Sequence, residues 1–165
     1  MTVSIREYKD KDRGKLLECV TQLQDFVATI DPLKRHRGRK DFDAEAYLKN
    51  TLKKVGKKNG MIYVAEESRE ILGCIVGYIE MPEDGNLEGY PSIDGFIQEL
   101  IIFPEHRGKK AGAMLMAKME KYLWQKKCSV IRLECFGPNH AAHAFYKKLG
   151  YEDRLIILIK SKTHN

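Results

Sequence analysis

The sequence predicts a single α/β (α+β) domain, spanning residues 1–165, in which helices flank a mixed sheet. Three features lead there. Short apolar segments rich in Val and Ile alternate, over nearly the whole chain, with stretches whose apolar residues recur at helical spacing. The apolar segment 93–103 breaks at Pro104 and, after Arg107-Gly108-Lys109-Lys110-Ala111-Gly112, becomes an amphipathic helix that a second apolar segment, 130–136, follows directly. Strand, helix, strand in that order makes the two strands parallel neighbours around the helix. A chain of 165 residues also fits one domain and buries on the order of 70% of its unfolded surface.

Each element has its own signature. Residues 3–6 alternate as a short strand, and Asp12 is placed to cap a helix whose apolar stripe is Leu16, Leu17, Val20, Leu23, Phe26 and Val27. A second helix runs from Asp43 to about Val55, with Ala44, Tyr47, Leu48 and Leu52 on one face, and ends near Gly56 and a lysine cluster. Residues 61–66 and 71–81 are two strands joined by Glu67-Ser68-Arg69-Glu70 as a hairpin. A glycine- and acid-rich loop, 82–91, precedes the strand 93–103. The helix with apolar positions Ala111, Met114, Leu115, Met119, Tyr122 and Leu123 extends to about Lys127. Strand 130–136, helix 139–149 and a last strand, 154–160, complete the order, without repeats or long linkers.

The strand-to-helix junction at 107–112 reads as a phosphate cradle. With residues 108–112 as the first helical turn, amide N–H groups lacking intrahelical partners face outward and the helix dipole adds partial positive charge. Arg107, Lys109 and Lys110 add full charges, and the glycines permit close backbone approach. A basic, solvated helix start would look the same locally, so the context decides. That context is Asn139-His140-Ala141-Ala142-His143-Ala144-Phe145-Tyr146-Lys147-Lys148-Leu149-Gly150-Tyr151, directly after the apolar segment 130–136.

Together these segments resemble the GNAT superfamily of N-acetyltransferases. The first matches the family's acetyl-CoA pyrophosphate loop, Arg/Gln-x-x-Gly-x-Gly/Ala, at Arg107 and Gly112, and departs from it at Lys110, where the family usually has glycine. The second matches Asn-x-x-Ala-x-x-Phe-Tyr-x-x-x-Gly-Phe/Tyr at Asn139, Ala142, Phe145, Tyr146, Gly150 and Tyr151. The resemblance covers roughly residues 60 to 160 and implies a twisted, mostly antiparallel sheet of about six or seven strands whose parallel fourth and fifth strands splay apart. It implies acetyl-CoA as donor, with Leu100, Ile101 and Ile102 pairing through their backbone with the pantetheine arm, and Arg107, Gly108, Lys109, Lys110, Ala111, Gly112 and Asn139 contacting the cofactor. No metal is expected. Asn139 is equally a good N-cap behind Gly137-Pro138.

Acetyl transfer to an amine needs a base to free the nitrogen electron pair and an acid for the departing thiolate. Tyr146 stands at the family's tyrosine position and is the acid candidate, its competing role being aromatic packing beside Phe145. Glu99 is the base candidate, directly or through water, or else a structural carboxylate; Asp94 is the reserve. Strand alternation puts Glu99 and Ile101 on one face and Gln98 and Leu100 on the other. His140 and His143 share a helix face but lack a third ligand, which argues against zinc.

The balance of 29 basic and 23 acidic residues, a net charge of +6, suits an anionic partner, and the phosphates of coenzyme A qualify. The basic run 34–40 is either a solvated loop or a site for an anionic acceptor, whereas Glu83, Asp84 and Glu88 would attract a polyamine, aminoglycoside or basic peptide. The acceptor is therefore a primary amine of a small molecule or of a peptide or protein, and longer acyl-CoA donors stay open. Cys19, Cys74, Cys128 and Cys135 show no metal spacing and fit reduced core thiols. With a charged N-terminus and no long apolar run, the reading is a cytoplasmic enzyme without membrane contact. Its oligomeric state is open between monomer and homodimer. Two other classes compete: a noncatalytic acyl-CoA-binding module, which could dispense with Tyr146 and Glu99, and a nucleic-acid binder, for which no recognisable module accompanies the charges.

Overall fold

The computed structural model describes residues 2–83 and 85–162. Strand β1 (Ser4–Glu7) leads through a 3-10 turn into helix α1 (Arg13–Ile30), and a long loop separates it from α2 (Ala44–Lys57). Asp43 caps α2 by accepting from the Ala46 amide at 2.9 Å, as its position before the apolar stripe predicts. Strands β2 (Met61–Glu67) and β3 (Glu70–Glu80) form the expected hairpin, with Ser68 and Arg69 both at positive φ as a type I′ turn demands. Strand β4 (Asp94–Ile102), helix α3 (Ala111–Gln125), strand β5 (Val130–Leu133) and helix α4 (His140–Lys148) follow.

The sheet order is β1-β2-β3-β4-β5, antiparallel except for the parallel β4–β5 pair. Helix α3 covers one face, where Leu115, Met116, Met119 and Leu123 pack on Leu72, Ile75 and Ile97. Glycines in the sheet let it approach: a Cβ at Gly95 would lie 2.8 Å from Leu123 Cδ1, and one at Gly77 2.7 Å from Met119 Sδ. Helices α1 and α2 cover the other face, with Leu16, Cys19 and Leu48 against Ile62, Val64, Cys74, Val76, Ile101 and Phe103. Burial of these apolar side chains is the main stabilising term, about 1.5–3 kcal/mol for each large one.

One irregularity organises the site. The β3–β4 register passes from Val76↔Glu99 to Gly77↔Ile97, so Gln98 is an extra residue on β4. Such a bulge reverses which residues face which side. Before it, Gly95 and Ile97 pack on the α3 side; after it, Glu99 and Ile101 face α1 and α2. The β4–β5 ladder, Asp94↔Val130 to Ile97↔Leu133, ends at the same place.

Several expectations need correction. Among the described residues the sheet has five strands, not six or seven, because residues 154–160 join no strand. Strand β5 stops at Leu133, since the chain must turn through Gly137-Pro138 to start α4. Helix α3 begins at Ala111, so Gly108, Lys109 and Lys110 precede it: Gly108 (φ 84°) and Lys110 (φ 63°) are left-handed, a conformation that ends rather than continues a helix. Phe26 is 42% exposed: of the α1 stripe, Leu16 and Val20 are buried and Leu17 and Leu23 pack partly on the core, while Phe26 near the end of the helix stays open. Periodicity shows which residues share a face, not how far the sheet beneath them extends.

Candidate active site

The turn before α3 is left-handed at Gly108 and Lys110 rather than a first helical turn. No described acceptor pairs with the backbone amides of residues 108–113; the first helical bond is Met114 N–H to Lys110 C=O at 3.1 Å. Successive free amides at a positive helix terminus form an anion-binding concavity. Lys110 takes the positive φ that glycine adopts without strain, which explains the family's preference there. Lys109 Nζ is held by Glu67 at 2.8 Å, and its ammonium keeps that carboxyl below its usual range. Arg107 Nε reaches only the Ile102 carbonyl, at 3.4 Å. Gly112 packs near Phe145 and Ile102, so the loop, the end of β4 and α4 converge.

Beyond the bulge, residues 98–102 of β4 have no strand on the β5 side, because the parallel ladder ends at Ile97. Leu100 and Ile102 turn their side chains to the α3 core and Ile101 to the opposite core, while the backbone edge between them stays open. A pantetheine arm, with amides spaced along an extended chain, fits such an edge as an added strand does.

Glu99 is 5% exposed and faces α2. The Tyr47 hydroxyl donates to its Oε1 in a short bond, and Gln98 Nε2 donates to the same oxygen at 3.0 Å. Gln98 also reaches the Tyr47 hydroxyl at 3.3 Å and Thr51 Oγ1 at 3.4 Å, and its Oε1 accepts from Lys54 Nζ at 3.1 Å. Gln98 and Glu99 thus lie on the same side, against the alternation expected of a regular strand; the bulge is the reason. Burial raises the Glu99 carboxyl above the usual glutamate range, opposed by the hydrogen bonds from Tyr47 and Gln98 and by the Lys54 charge. No described residue bonds to Oε2.

Tyr146 lies on α4, stacked edge-on between Phe145 (5.4 Å) and Tyr151 (6.0 Å), and packs against the α3-side core that Leu100 and Ile102 also line. Burial pushes its phenol up to about 12. Its hydroxyl has no hydrogen-bond partner among the described residues, whereas Tyr151 is tied to Glu120 at 2.9 Å. Asn139 is the N-cap of α4: its Oδ1 accepts from the Ala142 amide at 3.3 Å.

The other candidates separate from this centre. Asp94 is paired with Arg132 (3.2 Å) and Ser92 (2.7 Å) at the closed end of the β4–β5 ladder. His143 is held by Asp153 at 2.7 Å, and no cluster of three metal-ligating side chains occurs among the described residues. Cys19, Cys74 and Cys128 are buried; Cys135 is half-buried, with its thiol pushed up by desolvation. Glu83 and Glu88 are exposed, and Asp84 lies outside the described residues.

Sequence reasoning missed Tyr47 as a functional neighbour, taking it only as part of the α2 stripe, and missed the loop anchored by Asp31. That carboxylate is buried and accepts from the amides of Leu33 (2.9 Å), Arg35 (2.8 Å) and His36 (3.2 Å) and bonds His36 Nδ1 at 2.9 Å, which holds it well below the usual range. The His36 ring then packs edge-on against Phe136 at 5.1 Å, so the basic run borders the β5–α4 connection. Asp31-Pro32 after a helix was the one local signal of a structured turn.

A GNAT acetyltransferase family profile matches residues 24–151, and the chain belongs to that family. It is an acetyltransferase that uses acetyl-CoA as donor. Among curated relatives, a Bos taurus thialysine N-epsilon-acetyltransferase is 26% identical over 157 residues, covering 92% of this chain and 85% of that protein. Among solved structures, a mutant protein from Bacillus halodurans superposes with a TM-score of 0.84 at 17% identity, over 97% of this chain and 99% of that one. An aminoglycoside N-acetyltransferase in complex with a CoA-based bisubstrate analogue gives a TM-score of 0.69 at 15% identity, over 99% of this chain and 100% of that one. No helix among the described residues is long and apolar enough to cross a membrane.

Proposed function

We propose that this acetyltransferase moves the acetyl group directly to a primary amine of a small molecule or of a peptide or protein, with Glu99 as base and Tyr146 as donor to the leaving sulfur. The observation that carries the reading is the bulge at Gln98. It opens the β4 edge and turns Glu99 to the α1/α2 side, while Tyr146 stays on the α3 side. The base and acid candidates thus lie on opposite sides of the sheet, near the stretch of β4 that has no strand on its β5 side.

Acetyl-CoA supplies the thioester acyl group. The free amides of residues 108–113 suit its pyrophosphate and the open edge of residues 98–102 its pantetheine amides. A free N–H on that edge is the donor for the thioester carbonyl, where such a group contributes about 3 kcal/mol in a water-poor site. Amine acceptors arrive protonated at neutral pH. Glu99, with Oε1 occupied by Tyr47 and Gln98, keeps Oε2 for the ammonium proton, directly or through water. Its raised basicity improves proton uptake while leaving it ionised above that raised value. Tyr146 stays neutral at physiological pH, with an uncommitted hydroxyl. A thiolate, at roughly 8.5, is a weaker base than that phenolate, so Tyr146 acts mainly by hydrogen-bonding the developing negative charge.

Direct transfer fits the cysteines, three of them buried and the fourth with a raised thiol, none suited to carry the acetyl group. The relatives named above act, by their names, on thialysine and aminoglycosides, both amines. The test is release of free CoA thiol across a panel of polyamines, aminoglycosides, amino acids, and peptides with lysine or free N-termini. Intersecting initial-rate lines with one amine class support the proposal; parallel lines, or acetylation of alcohols alone, contradict it.

A further inference from the structure

Tyr47, Thr51 and Lys54 stand at i, i+4 and i+7 on α2, so they share one face of the helix, and that face meets Gln98 and Glu99. The Gln98 side-chain amide, on the bulge residue itself, has two ends with opposite needs. Its oxygen accepts from Lys54 Nζ at 3.1 Å, and its nitrogen donates to Glu99 Oε1 at 3.0 Å, with the Tyr47 hydroxyl at 3.3 Å and Thr51 Oγ1 at 3.4 Å. Turned over, the amide would set its oxygen against the Glu99 carboxylate and its N–H groups against an ammonium, which offers no acceptor. Lys54 and Glu99 therefore fix the same orientation from both ends. Lys54 is itself steadied by Tyr78, whose ring its Nζ covers at 5.3 Å.

The orientation matters because an amide nitrogen bonds a carboxylate, whereas an amide oxygen bonds only the protonated acid. Without the ammonium, Gln98 is free to present either end, and its oxygen would hold Glu99 in the form that cannot take up a proton. The other titratable groups facing Glu99 are Tyr47 from α2 and Cys74 and Tyr78 from β3. Burial pushes both phenols up, and a hydrogen bond with Cys19 together with burial pushes up the thiol, so all three are neutral near pH 7. Helix α1 adds Leu16 and Cys19 to the same core. Among the described residues, Lys54 is thus the one charged side chain acting on Glu99. We propose that Lys54 is a positioning residue for acetyl transfer: by holding the Gln98 oxygen it keeps the amide N–H on Glu99 and the carboxylate ready to accept a proton. This rests on Glu99 being the base, as proposed above.

Two readouts taken together decide it: the pH profile of kcat/KM with one amine, and the titration of the Glu99 carboxyl followed by carbon-13 NMR and assigned with Glu99→Gln. Lys54→Met keeps the length of the side chain and removes the ammonium. It should lose roughly fivefold in kcat/KM on the acidic limb and less than about twofold on the plateau, with the limb and the carboxyl titration both moving to higher pH. Lys54→Arg should restore both. Lys58→Met removes the other ammonium over Tyr78, at 4.9 Å, which pairs with Glu80 rather than with Gln98, and should leave both at their wild-type positions. Because Lys54 acts through the amide, most of the Lys54→Met effect should disappear in a Gln98→Met background. Full additivity of the two substitutions, or an unmoved carboxyl titration in Lys54→Met, overturns the proposal. A carboxyl titration that moves while the rate profile does not would overturn instead the reading of Glu99 as the base.

Discussion

The two sides of the β4–β5 gap are built from different materials. On the α3 side, the groups left open are backbone: free amides at 108–113 and the open edge at 98–102, which depend on turn geometry and on where a ladder stops. On the α1/α2 side they are side chains drawn from separate elements, with Tyr47 and Thr51 of α2 arranged around Gln98 and Glu99 of β4. A backbone site tolerates changes in side chain and leaves a compact motif. A side-chain site is specific to its partners and scatters through the sequence.

The largest effect that would sharpen this contrast is on turnover. Glu99→Gln should lower kcat by ~1000-fold at neutral pH while acetyl-CoA affinity stays within twofold, the range expected for loss of a positioned base. It should not lower the melting temperature at pH 7. A carboxyl whose folded pKa is raised is fully tolerated below its unfolded value and costs stability as pH rises through the folded one, and the amide removes that cost. Tyr146→Phe keeps the ring packing against Phe145 and Tyr151 but removes the hydroxyl, so kcat should fall by ~100-fold with cofactor affinity little changed. Wild-type turnover in that variant would remove Tyr146 from the chemistry.

The backbone half should answer differently. A Cβ at Gly112 would sit 3.5 Å from Phe145 and 3.6 Å from Ile102, ordinary contact, so Gly112→Asp should fold normally. If those free amides hold the cofactor's phosphates, its carboxylate, placed among them, should weaken acetyl-CoA binding by at least tenfold in calorimetry, while kcat at saturating cofactor holds. Equal affinity in the folded variant would detach the loop from the cofactor. The smallest effect belongs to Tyr47→Phe. Losing that donor removes an interaction that lowers the Glu99 pKa, so activity at neutral pH should fall only a few-fold, recovering as pH is raised.

The same contrast explains what could be read from the sequence. The helices and strands followed from periodicity and caps, and the cofactor loop and the Asn139–Tyr151 segment stood out because their residues are contiguous. Glu99 was within reach because it adjoins the apolar strand. Its environment was not: a bulge depends on the register with β3, and strict alternation put Gln98 on the wrong side. Tyr47 is 52 residues from Glu99 and looked like one more position on an apolar helix face. Residues 154–160 read as a strand from composition, but strand propensity alone supplies no pairing partner, and they join no sheet among the described residues.

The pH dependence of kcat/KM, taken with one amine for wild type, Tyr47→Phe and Glu99→Gln, tests the assignment of the base most directly. In wild type, activity should fall on the acidic side with an apparent pKa above the ordinary glutamate range, because burial disfavours the charged carboxylate. That limb should move to higher pH in Tyr47→Phe and vanish in Glu99→Gln, leaving a low rate set by the amine alone. An unchanged acidic limb in Glu99→Gln would show that another group takes the proton, and would contradict the division of acid and base across the gap.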